Sequence, residues 1–160
     1  MSESSRQEPA EIVYCDTLPP HDQRAVMFHI LYAVEAFEYE ISTATIVDQF
    51  CRGFCCEIDR NGTLFKQASA IVQERNELDD QIRPLLHNWR FERVSVAARL
   101  ILRMALWEFK YTQLDAPVVI DEAVELAKSF AESDAYKFVN GLLDEWVRRN
   151  TSHTMSIADE

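Results

Sequence analysis

Apolar residues recur along this chain at intervals of three and four, the period of an amphipathic helix. No run alternates strictly enough to predict a half-buried strand. Met27, Ile30, Leu31, Val34 and Phe37 mark a first helix from about His21 to Glu38. Ile46, Val47, Phe50 and Phe54 mark a second, Thr43 to Ile58, closed by the turn signal Asn61-Gly62. Leu64, Ala68, Ile71, Val72, Leu78 and Ile82 predict a third over Thr63 to His87, with Pro84 as a kink or break. The fourth, about Val94 to Tyr111, contains Leu100-Ile101-Leu102-Arg103-Met104-Ala105-Leu106-Trp107 and is apolar on nearly all sides, so it belongs at the centre of the core. Pro117 opens a fifth, with Ile120, Ala123, Val124, Ala127 and Phe130 in register. Ser133 or Asp134 is a suitable N-cap for a last helix carrying Phe138, Val139, Leu142 and Trp146. The expected core includes Leu102, Leu106, Val124, Phe130, Val139 and Leu142.

Length and composition agree with this all-α picture. A chain of 160 residues, 48% of them apolar, can bury about 70% of its unfolded surface around one core. Only 3 glycines and 5 prolines leave few turns, which favours long helices. Residues 1–19, polar and acidic with Pro9, Pro19 and Pro20, are expected to be a disordered tail. Residues 20–150 form the helical domain, and residues 151–160 a flexible C-terminal tail. No apolar leader and no span near the roughly 18 residues of a membrane helix occurs, so the protein is expected to be cytoplasmic, without membrane association.

Charge narrows the function. The net charge of −11 opposes polyanions as a whole and suits docking onto a basic partner. Cys51 and Cys55 are spaced i, i+4 and are expected to share a helix face. Two zinc ligands on that face are one reading, and two small buried hydrophobes the other. The absence of a CxxC pair or second ligand pair favours free thiols and no metal. No GxxxxGK[ST] loop, GxSxG elbow or HExxH pair is present, so neither an enzyme nor a cofactor is expected.

The second half is more specific. Leu100 to Glu108 reads LILRMALWE, Pro117 to Phe130 reads PVVIDEAVELAKSF, and Tyr136 to Asp144 reads YKFVNGLLD. In this order and spacing they closely resemble the carboxy-terminal half of the NusB family, with its ILR-A--E, INEA-ELAK-F and KFVNG-LD helices. Asn88-Trp89 with Arg93 resembles the family's W---R approach to the core helix, and Arg24 with Leu31-Tyr32 its first helix. The resemblance is strong from Trp89 to Asp144 and weak between Glu38 and Leu86. It implies an all-α NusB-like fold of two packed helical bundles, about six to seven helices, without a catalytic site. It also implies transcription antitermination on ribosomal RNA operons, with NusE (a small-subunit ribosomal protein), boxA RNA and the RNA polymerase antitermination complex as partners. A homodimer stays open.

The same resemblance assigns RNA-binding residues. Phe138 matches a family Phe beside the bound RNA, where a base can stack; its periodicity alone reads as core packing. Asp134 and Lys137 flank it and fit the same surface. Arg103 interrupts the most apolar helix, so it needs a buried partner from another helix or emerges to contact phosphate. Gly141 and Asn140 read as helix-packing positions. One departure stands out. Where the family carries an arginine run, this chain has Pro20-His21-Asp22-Gln23-Arg24, leaving Arg24 and a His21 that is mostly neutral near pH 7. Two readings follow: an antitermination factor that binds boxA RNA weakly without NusE, or a NusB-fold interaction module with reduced or lost RNA binding.

Overall fold

Ser42 and Ser95 each place a side-chain oxygen against a helix N-terminus, accepting from the N–H of Thr45 and Ala98 at 3.2 Å. These two caps fix two of the helix starts in the computed structural model, which describes the backbone of residues 9–155 and the side chains of residues 9–151. A two-residue strand β1 (Val13–Tyr14) and a 3-10 turn (Cys15–Thr17) lead into α1 (Pro20–Ala36). Then come α2 (Thr43–Phe54), β2 (Cys56–Glu57), α3 (Thr63–Gln73) and α4 (Arg75–Ile82). Two 3-10 turns, Arg83–Leu85 and Phe91–Arg93, connect to α5 (Val96–Tyr111), α6 (Ala116–Phe130) and α7 (Ala135–Met155). The fold is all-helical apart from β1 and β2.

Helix α5 packs against α6, α7, α1 and α4, and so sits at the centre of the fold. Its Leu100, Ile101, Leu102, Met104, Ala105 and Leu106 are buried. Val139 and Leu142 are buried as expected, whereas Val124 and Phe130 are only partly covered at the edge of the core. Phe130 instead stacks on Phe28 with ring centroids 4.9 Å apart, linking α6 to α1. Among the described residues no helix is long and apolar enough to cross a membrane.

Three boundaries differ from the sequence reading. The third helix breaks at Glu74, before Pro84, because tertiary contacts hold that residue. Its carboxylate accepts from the Tyr111 hydroxyl at 2.7 and 2.8 Å, and Arg75 caps the preceding turn through the Val72 carbonyl at 2.8 Å. Pro84 then lies in a 3-10 turn after α4. Helix α2 stops at Phe54, since Cys55 turns into the left-handed region at φ 50°. Cys51 and Cys55 therefore do not share a helix face: Cys51 is half-buried and Cys55 exposed. Helix α7 continues to Met155, into the expected C-terminal tail; residues 156–160 lie outside the described residues.

The expected N-terminal tail is also corrected where it is described; residues 1–8 lie outside that range. β1 pairs in parallel with β2, in register Val13 to Cys56 and Tyr14 to Glu57. Asp16 accepts the Asp59 N–H at 2.7 Å. A Cβ on Gly62 would stand 2.6 Å from the Asp16 carboxylate and 3.1 Å from the Asp59 carbonyl, so glycine leaves Asp16 undisturbed in its bond to Asp59. Cys15 is 2% exposed. Backbone pairing and burial of one thiol give this segment the contacts that its polar composition hides.

Candidate nucleic-acid interface

The loop before α5 and the first turn of α7 meet at a cleft. Asp134, at φ 68°, turns the chain into α7, and its carbonyl accepts the Lys137 N–H at 3.1 Å. That corner sets Phe138 on the cleft wall, half-buried, with Trp89 opposite at 6.3 Å between ring centroids and 45° between planes. The cavity holds about 330 Å3 and is lined by Trp89, Arg93, Val94, Ser95, Ala98, Glu132, Ser133, Asp134, Ala135 and Phe138. Trp89 is 60% exposed, unusual for a side chain whose burial is so favourable. A neighbouring cleft, formed by Asn88, Trp89, Arg90 and Arg93, adds two exposed guanidinium groups with no ion-pair partner among the described residues.

Chemically, this cleft combines faces for stacking a base, cations for phosphate, and the Asp134 carboxylate and serine hydroxyls for the polar edge of a base. Lys137 makes an exposed 3.4 Å pair with Asp134, a contact weak enough in water to yield to a phosphate. Lys128 and Lys137 both lie near the Tyr136 ring, at 5.3 and 5.8 Å. Gly141, one turn beyond Lys137 and Phe138, is exposed, and an added Cβ would meet nothing within 4 Å. Among the described residues no helix packs on Gly141, contrary to the packing role expected for it. Asn140 donates along its own helix to Asp144 at 3.3 Å.

The six expected RNA residues divide into two groups. Asp134, Lys137 and Phe138 come together at this cleft. His21, Arg24 and Arg103 do not. Arg103 is 4% exposed, and Asp79 grips it bidentately at 2.7 and 2.8 Å. Its remaining nitrogen donates to the Tyr39 hydroxyl at 2.9 Å and to Glu35 at 3.3 Å. Burial works against the charged guanidinium, but Asp79 outweighs it and moves the pKa upward. Arg103 is thus an internal ion-pair anchor, and a phosphate contact is excluded by its enclosure. Arg24, 9% exposed, donates to Glu108 at 2.9 Å and lies 3.8 Å from Glu122. Burial nevertheless pushes the Glu108 carboxyl up. His21 is exposed but bound to Glu122 at 2.8 Å, a hydrogen bond that raises its pKa. Arg24 and His21 thus both face carboxylates of α5 and α6.

Trp89, Arg90 and Arg93 were not assigned to RNA from the sequence. Their signal is an exposed-type Trp-Arg pair ahead of a capped helix, which becomes meaningful only once Phe138 stands opposite.

Comparison with known proteins places this cleft in context. The NusB family model matches residues 21–148. A transcription antitermination protein NusB of Macrococcus caseolyticus is 34% identical over 127 residues, covering 79% of this chain and 95% of the relative. The protein of the same name from Campylobacter concisus is 31% identical over 125 residues, covering 78% and 93%. Among solved structures, T. maritima NusB superposes with a TM-score of 0.67 at 27% identity, covering 82% of this chain and 92% of that one.

Proposed function

The chain belongs to the NusB family, and from that premise we propose that it is a cytoplasmic transcription antitermination factor that binds boxA RNA together with NusE. In this role it works by binding, and supports transcription of ribosomal RNA operons within the RNA polymerase antitermination complex. The observation that carries the RNA reading is the cleft between Trp89 and Phe138, with Arg90 and Arg93 beside it and Lys137 paired to its Asp134. An unpaired base rests on an aromatic face there, its phosphates on the cations, and an exocyclic amino group on Asp134. Arg103 and Arg24 have no part in this contact.

The two buried arginines favour keeping the second reading in view: a NusB-fold interaction module with little RNA affinity of its own. Arg24 and Arg103 are taken up by internal carboxylates in a chain of net charge −11. NusE, as the basic partner, complements that charge and adds phosphate contacts of its own. An electrophoretic shift with boxA RNA over a salt series, with and without NusE, separates the readings. Weak binding alone and tight binding with NusE support the antitermination factor. A NusE complex whose RNA affinity equals that of NusE alone supports the interaction module.

A further inference from the structure

Cys15, Cys51 and Cys56 belong to three separate elements, the turn after β1, helix α2 and strand β2, yet the register that pairs Val13 with Cys56 sets Cys15 two residues along the neighbouring segment, and Cys15 and Cys56 are both buried. The positions are held by the backbone. β1 and β2 are paired, the Val13 N–H donates to the Cys55 carbonyl at 3.2 Å, and Asp16 locks Asp59 at 2.7 Å. The left-handed turn at Cys55 directs that residue to solvent and Cys56 inward, where it is 8% exposed. All four cysteines are free thiols in this structure.

We propose that Cys15 and Cys56 are an oxidative modification site, which hydrogen peroxide converts to a disulfide stapling the β1 segment to β2. An S–S bond of roughly 2 Å would join two segments whose backbones are already paired. A Cys51–Cys56 bond would instead span the α2 C-cap, where the Cys55 N–H donates to the Cys51 carbonyl. In the first step the Cys56 thiolate attacks peroxide, the O–O bond breaks, and a sulfenic acid forms. The departing hydroxide takes up the thiol's proton as water. In the second step the Cys15 sulfur attacks the sulfenic sulfur, the S–S bond forms, the S–O bond breaks, and a second water leaves with the Cys15 proton. Two thiols are oxidised, and one peroxide is reduced to two waters. Burial raises the pKa of both thiols, so the reaction accelerates as pH rises above neutral.

The test treats the full chain with hydrogen peroxide, then combines intact mass and non-reducing peptide mapping with a thermal melt. The expected result is a loss of two hydrogens, a cross-linked peptide pair containing Cys15 and Cys56, and a higher melting temperature that dithiothreitol reverses. Cys55→Ser keeps the cross-link, while Cys15→Ser, checked for helicity by circular dichroism, loses it. A disulfide mapped to Cys51, a covalent dimer through Cys55, or sulfinic acid without any cross-link overturns the proposal. The peptide map of the unmutated chain decides the matter even where a serine variant fails to fold.

Discussion

Arg103 is joined by Asp79, Glu35 and Tyr39 in a network that ties α5 to α4 and α1. Arg99 joins at 3.6 Å from Glu35, and Arg75 covers the Tyr39 ring at 4.0 Å. Removing one partner of such a pair leaves a buried charge uncompensated. Asp79→Ala should therefore lower the unfolding free energy by about 3–5 kcal/mol, measured by urea denaturation. A loss well under 1 kcal/mol would show that Arg103 finds water or another partner. The same network makes stability pH-dependent. Burial raises the Glu35 carboxyl, but the Tyr39 hydroxyl and Arg103 outweigh it, and the net shift is below the ordinary 4.5. Its contribution is thus present above that ordinary value and lost as pH falls through the lowered one. Glu35→Gln should flatten this acid limb in melts taken between neutral pH and the acid transition. An unchanged limb would assign it to other carboxylates.

At the scale of elements, stripes and caps explain where helices start better than where they stop. Ser42 and Ser95 cap α2 and α5 immediately ahead of their apolar runs. The end of α2 is set by Cys55 at φ 50° and ψ 49°, a conformation suited to glycine. Cys55 is exposed, so its side chain contributes little packing. Cys55→Gly should stabilise the chain by about 1 kcal/mol in chemical denaturation, since a non-glycine residue in this region costs ~1–2 kcal/mol. No gain would mean the thiol contributes to the corner. Helix α5 tests the core directly. Leu102 is fully buried, and Leu102→Ala should cost about 2–5 kcal/mol in the same assay.

For the whole molecule, net charge and local charge pull in opposite directions. The acidic chain discourages polyanion binding, while Arg90, Arg93 and Lys137 concentrate cations at one cleft. In the complex with NusE, Arg93→Ala should lower boxA affinity about equally across RNA sequences and reduce the salt slope by about 1. Phe138→Ala should weaken binding by roughly 1–3 kcal/mol, with the helical signal unchanged. Arg103→Ala, by contrast, should act through stability. RNA affinity insensitive to both cleft variants would move the interface elsewhere on the molecule. Deleting residues 1–19 removes β1, Cys15 and Asp16 and should lower the melting temperature. This truncation therefore changes stability as well as charge.

Periodicity alone determined the helical class, the central place of α5 and the approximate start of most helices, because burial of an apolar stripe is a local, repeating demand. The motifs from Trp89 to Asp144 carried the family. Tertiary structure decided what each charged residue does. Sequence spacing cannot tell a cation facing solvent from one facing a carboxylate distant in the chain, so Arg24 and Arg103 resembled RNA ligands until Glu108 and Asp79 stood beside them. The same is true of Trp89 opposite Phe138, of Glu74 held by Tyr111, and of Cys15 beside Cys56. Each depends on a contact between distant segments, and such contacts exist only once the helices have packed.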